Sequence, residues 1–143
     1  MATWQRFEQE ASELAVEVRR VFEQSTSHVL ATLRRNGSPR VSGIEVQFSG
    51  PDLTFGSMTG AVKVRDLLRD RRFALHSQPA EGGDAKISGV AVEVTEPSAE
   101  ERGSHLFRLD IEEIVYTALG DDQKHLLIQL WRPGREVTKF KRY

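Results

Sequence analysis

Val29-Leu-Ala-Thr-Leu-Arg-Arg-Asn-Gly-Ser-Pro-Arg-Val-Ser42 is the stretch on which the fold turns. A strand-like run leads into Asn36-Gly37, the pair best suited to the positive-φ positions of a tight hairpin turn, and alternation resumes beyond it. The spacing predicts a first strand over His28 to Arg34 and a second over Val41 to Phe48. Pro39 stands at the start of that second strand, where a missing N–H is tolerable on a sheet edge. The chain therefore carries an antiparallel hairpin with one open side.

The same signals continue to the C-terminus. Ser49-Gly-Pro-Asp52 reads as a second turn and Leu53 to Ser57 as a third strand. A helix over residues 61 to 70 is expected to bury Ala61, Val64, Leu67 and Leu68. Phe73 to Ser77 is a further strand, Gln78 to Asp84 a glycine-rich loop, Ala85 to Thr95 a long strand and Pro97 to Ser104 a connector. Leu106 to Leu119, interrupted near Asp110, Lys124 to Trp131 and Glu136 to Phe140 complete the strand count at six to eight. Upstream, Trp4, Phe7, Ala11, Leu14, Val18 and Val21 recur at spacings of three and four, and Thr3 is a suitable N-cap. That predicts one helix over residues 3 to 24. Hairpin-connected strands must hide their edges, and closure is the common solution. The expected architecture is mainly β (α+β): a single domain over 1–143, with a helix at about 3–24 and an antiparallel barrel at about 28–143.

Composition narrows the function classes. The 143 residues carry a net charge of −1, so no global basic field draws the chain to nucleic acid. Cysteine is absent, which excludes disulfides, thiol nucleophiles and thiolate metal sites within these residues and suits a cytoplasmic setting. No apolar run approaches the length of a membrane span. Redox chemistry would have to come from a bound cofactor.

One segment carries a chemical signal. Leu53-Thr-Phe-Gly-Ser-Met-Thr-Gly-Ala-Val-Lys63 ends a strand, passes through hydroxyls and small residues, and opens a helix with a lysine in its first turn. Unpaired N–H groups and the helix dipole favour an anion there, small residues permit close approach, and Lys63 adds a full charge. The pattern fits a phosphate monoester, and is neither a Walker loop nor the dinucleotide fingerprint. The bland reading is a loop with a solvated lysine.

Other constellations are weaker. His28, His76, His105 and His125 show no metal-ligand spacing, and no metal site is expected. Glu112 and Glu113 point to opposite faces of an extended strand. Ser57 has no histidine near it in sequence and no nucleophile elbow around it. The basic, aromatic tail Lys139 to Tyr143 fits a terminal strand better than a nucleic-acid platform.

In order and spacing, the segments Val29 to Ser42, Leu53-Thr-Phe-Gly-Ser57, Lys63-Val-Arg-Asp-Leu67, Arg72-Phe-Ala-Leu-His76, Ala85-Lys-Ile-Ser-Gly89 and Leu127-Ile-Gln-Leu-Trp131 resemble the pyridoxamine 5′-phosphate oxidase-like, FMN-binding split-barrel family. The resemblance implies a six-stranded split β-barrel, a homodimer, and FMN in a cleft between subunits. By the same resemblance, Lys63 holds the cofactor phosphate, Ser57 lines the flavin beside Met58 and Thr59, and Arg40 matches a second-strand arginine. Val41, Ser42 and Gly43 would run alongside the isoalloxazine, and Trp131 would reach the cofactor across the dimer. Three departures qualify this inheritance. Val62 replaces an arginine, Asp84 replaces a glutamine that contacts the flavin, and Glu136-Val-Thr-Lys-Phe140 lacks the arginine–histidine element that grips pyridoxal substrates. The implied activity is hydride transfer between flavin and a small organic substrate other than pyridoxamine 5′-phosphate. Val62 leaves the deazaflavin F420 as an alternative cofactor, and a flavin-binding module without turnover is the non-enzymatic alternative.

Overall fold

The N-terminal apolar stripe folds as two helices, α1 (Trp4–Glu10) and α2 (Ser12–Glu23), in a computed structural model that describes residues 1–95 and 103–143. Thr3 caps α1 by accepting a hydrogen bond from the Arg6 N–H at 3.1 Å, as its position predicts. The single helix expected over 3–24 is broken at Ala11, whose φ of −143° and ψ of 58° leave the helical region. A straight helix of that length would be about 30 Å long, too long and stiff to follow a twisted sheet. The break lets α1 pack on one part of the sheet and α2 on another, and the whole stripe from Trp4 to Val21 is buried.

Among the described residues nine strands follow: β1 (His28–Leu33), β2 (Pro39–Ile44), β3 (Gln47–Ser49), β4 (Asp52–Met58), β5 (Arg72–His76), β6 (Asp84–Val94), β7 (Ser104–Leu119), β8 (Leu126–Trp131) and β9 (Thr138–Arg142), with α3 (Val62–Arg69) after β4. The hairpin forms as expected, with Leu30 opposite Ser42 and Gly37 at φ 85° in the turn. The second strand ends earlier than its pattern suggests. Beyond Ile44 the chain leaves β1 and re-enters the sheet as β3, paired with β4. The split between β2 and β3 is a choice of partner, which alternation cannot encode.

The ladder runs β2-β1-β5-β6-β7-β4-β3, all antiparallel, with β8 on β7 and β9 on β8. Its two ends, β2 and β3, are separated by only Glu45 and Val46, so the sheet must curl back on itself. The long strand β7 makes the split. It pairs with β6 along one edge, while its other edge takes β4 near the start and β8 near the end. The interruption expected near Asp110 is a β-bulge rather than a break: Ser88 faces Glu113 and Gly89 faces Ile111, leaving Glu112 unpaired. A Cβ on Gly89 would lie 1.9 Å from the Asp110 carbonyl oxygen, so only glycine fits there. The connector read over 97–104 lies outside the described residues, save Gly103 and Ser104. A single cluster fills the interior, including Trp4, Phe7, Leu30, Phe55, Leu67, Phe107 and Trp131. Among the described residues, no helix is long and apolar enough to cross a membrane.

Candidate functional site

The helix α3 lies along the β1–β2 hairpin, and three of its side chains tie it there. Lys63 Nζ donates to the Gly43 carbonyl at 2.7 Å, Asp66 meets β1 and β2, and Arg69 Nη2 donates to the Leu33 carbonyl at 3.0 Å. The N-terminus of α3 is thus held against the end of β2, and its C-terminus against the hairpin turn. Ala61 gives no side-chain cap, so the N–H groups of Val62 and Lys63 have no intrahelical partner. Gly60, at φ 88°, makes the sharp entry into the helix.

The open edge of β2 lies alongside the Lys63 contact. The Arg34 N–H donates to the Ser38 carbonyl, and hydrogen-bonded pairs then alternate along an antiparallel ladder. Arg40, Ser42 and Ile44 therefore bond inward to β1, while the backbone groups of Val41 and Gly43 face away from it. The Lys63 contact with the Gly43 carbonyl agrees with that alternation. Val41, 70% exposed on β2, and Met58, 78% exposed at the end of β4, add apolar surface.

Beneath this edge lies a buried polar cluster. Asp66 is 2% exposed, whereas Leu68, which the sequence pattern places in the core, is turned to solvent. The helix faces the hairpin with Val64, Asp66 and Leu67 because the hairpin presents donors there. Asp66 Oδ2 accepts from Thr32 Oγ1 at 2.7 Å and from Arg40 Nε at 2.7 Å, and Oδ1 accepts from Arg69 Nη2 at 3.0 Å. Burial pushes the Asp66 carboxyl up, but the hydrogen bonds from Thr32, Arg40 and Arg69 outweigh it and the net shift is downward. Ser42 Oγ, next along the inner face, is buried with no hydrogen-bond partner among the described residues.

The expected residues divide into two groups. Arg40, Val41, Ser42, Gly43 and Lys63 come together through the contacts just described, with Met58 and Thr59 on the strand and turn that lead into α3. Thr59 does not offer a free hydroxyl, since its N–H and Oγ1 both donate to the Gly103 carbonyl. Trp131 does not join the site. It is fully buried, in register with Ile114, and its ring packs 4.7 Å from that of Phe7. A side chain sealed beneath α1 cannot reach a ligand across a subunit boundary without dismantling the core.

The fold also makes contacts that the sequence hid. Ser57 faces His105 across the β4–β7 ladder, and His105 Nδ1 lies 2.8 Å from Glu93 Oε1 on β6. No local spacing could reveal it, because the three residues come from three strands. Ser57 makes no hydrogen bond to His105, so a nucleophile triad is not assembled. Asp84 lines a separate pocket of about 340 Å³ with Pro79, Ala80, Thr117, Leu119 and Leu126. Among the described residues, no three His, Asp or Glu side chains converge as a metal site.

The model of the pyridoxamine 5′-phosphate oxidase family matches residues 14–130. The fold is similar to that of a pyridoxamine 5′-phosphate oxidase-related, FMN-binding protein of Nostoc punctiforme, at 11% identity and a TM-score of 0.70 over 93% of this chain and 96% of that one. PhzG of Burkholderia lata, solved with tetrahydrophenazine-1-carboxylic acid, is similar at 16% identity and a TM-score of 0.65, covering 92% of this chain and 86% of that one. An F420 reductase is similar at 17% identity and a TM-score of 0.56, over 67% and 94% of the two chains. At these identities the likeness is one of fold. No curated protein matches the chain.

Proposed function

Because the chain belongs to the pyridoxamine 5′-phosphate oxidase family, we propose that it binds FMN beside β2 and α3, and that it passes hydride between the flavin and a small organic substrate other than pyridoxamine 5′-phosphate. The observation that carries this reading is the seat itself: Lys63, held against the edge of β2, stands beside an uncapped helix N-terminus and a buried, unpartnered Ser42 hydroxyl. Such a site fits a phosphate monoester, because amide dipoles and a full charge converge where small residues permit approach.

The bound flavin supplies the hydride chemistry. The protein's part is to hold and orient. Lys63 and the first-turn N–H groups take the phosphate, the outward backbone groups of Val41 and Gly43 offer hydrogen bonds to a planar ring edge, and Val41 and Met58 exclude water. In this reading Ser57, one residue before Met58 on β4, would line the flavin. The proposal extends to a homodimer. Val29 and Val41 are exposed on the outer face of the sheet, as are Leu126 and Phe140 farther along it, and a second copy would cover such a surface.

F420 is a second reading, supported by the fold likeness to an F420 reductase and by Val62, which adds no second charge next to Lys63. The experiment is mass spectrometry of small molecules released from purified protein, followed by titration of the emptied protein with FMN, riboflavin and F420. Tight FMN binding with reduction by NAD(P)H supports the oxidoreductase. FMN binding without reduction or substrate turnover supports a binding module, and F420 binding alone supports the deazaflavin reading. Failure to bind any of them refutes the proposal.

A further inference from the structure

We propose that Asp66 is a positioning residue for the anion seat: it locks Arg40 through Nε, so that the two terminal guanidinium nitrogens of Arg40 stay free to meet the phosphate together with Lys63. The inference rests on the phosphate-seat reading and concerns a residue that touches no ligand itself.

Three observations carry it. Arg40 is anchored by one atom, with Nε donating to Asp66 Oδ2 at 2.7 Å, while Nη1 and Nη2 have no partner among the described residues. An arginine paired only for structural reasons commonly spends its fork on the carboxylate, whereas here the fork is left over. Asp66 is also fixed by more than Arg40. Thr32 Oγ1 and Arg69 Nη2 hold its two oxygens, so its orientation is set by β1 and α3 independently of the arginine it directs. Finally, one buried carboxylate between two guanidinium groups leaves one positive charge uncompensated, and Lys63 adds another on the same side of the hairpin. A phosphate monoester carries about 1.5–2 negative charges near neutral pH, which matches that surplus. A lone neutralising ion pair would have left no surplus.

Along β2, Arg40 and Gly43, which anchors Lys63, are three residues apart, or about 10 Å. Between those points lie Val41 and Ser42, the stretch with outward backbone groups on Val41 and a buried Ser42 hydroxyl that has no partner among the described residues.

The test is a double-mutant cycle read as a ratio of affinities. Kd values for FMN and for riboflavin, which lacks the phosphate, are measured for the full chain and for Asp66→Asn, Arg40→Gln and the double variant. Asp66→Asn is expected to weaken FMN binding about tenfold and leave riboflavin unchanged. In the Arg40→Gln background the same change is expected to have no further effect. A merely structural Asp66 would weaken both ligands alike, and that result, or an unchanged ratio, overturns the proposal. If Asp66→Asn does not fold, Arg40→Gln alone decides: an unchanged FMN to riboflavin ratio removes Arg40 from the seat. Inorganic phosphate, followed through the Arg40 Nε–H resonance, separates this inference from the flavin reading. A phosphate-induced shift in a protein that binds no flavin keeps the seat and discards the flavin. No shift together with no flavin binding discards both.

Discussion

Trp131→Ala separates core from cofactor site more cleanly than any other substitution in this chain. The indole is fully buried, sits in register with Ile114 at the end of β8, and packs 4.7 Å from Phe7, which in turn lies 5.1 Å from Trp4. Removing such a ring costs about 3–5 kcal/mol, the transfer term plus the cavity that α1 and the sheet cannot fully close. For a domain of this size each kcal/mol lowers the midpoint by roughly 3 °C, so thermal unfolding should fall by roughly 10–15 °C. The aromatic contact adds a coupling of about 0.5–1.5 kcal/mol, measurable as the shortfall from additivity in Trp131→Ala with Phe7→Ala. The assay is circular-dichroism melting paired with flavin titration well below the midpoint. We expect a large stability loss with flavin affinity per folded molecule changed less than twofold. A variant with nearly unchanged melting and abolished flavin binding would refute the reasoning and return Trp131 to the site.

Lys63→Ala should weaken FMN binding by about 1.5–3 kcal/mol, the usual worth of a hydrogen bond to a charged group, and an unchanged dissociation constant would remove the seat from consideration. Gly89→Ala forces a methyl to within 1.9 Å of the Asp110 carbonyl oxygen, so the bulge must shift, and urea unfolding should show a loss of at least about 1–3 kcal/mol. Acid titration should expose the depressed carboxylates. The hydrogen bond from Arg72 holds Asp70 at about 2, below the ordinary 3.8, and Asp66 is shifted in the same direction. Their stabilisation is present above the ordinary carboxyl range and is lost as pH falls from about 4 toward about 2. Asp66→Asn and Asp70→Asn together should flatten that limb of the stability curve, and an equally steep limb in the double variant would contradict it. Light scattering should give a dimer, and a monomer holding stoichiometric flavin would discard the shared interface.

By itself the sequence determined the opening hairpin, most of the later strands and the helix that follows β4. Asn36-Gly37 and Pro39 fix the hairpin and its open side through local φ preferences and a missing N–H, so no distant contact is needed to read them. The small residues before α3, and Lys63 in its first turn, make the proposed anion seat readable from sequence because helix ends expose amide groups wherever they occur. Tertiary structure decided what depends on partners. The stripe from Trp4 to Val21 reads as one helix because periodicity is local, and only the curved sheet beneath it demands the break at Ala11. Alternation carries on from Val41 to Phe48, yet the strand divides because β1 and β4 compete for its two halves. Asp66 and Leu68 exchange their expected exposures because Thr32 and Arg40 arrive from distant strands with hydrogen bonds to give. Trp131 moves from ligand to core for the same reason: a strand pattern shows that one face is apolar, and only packing shows that α1 covers it.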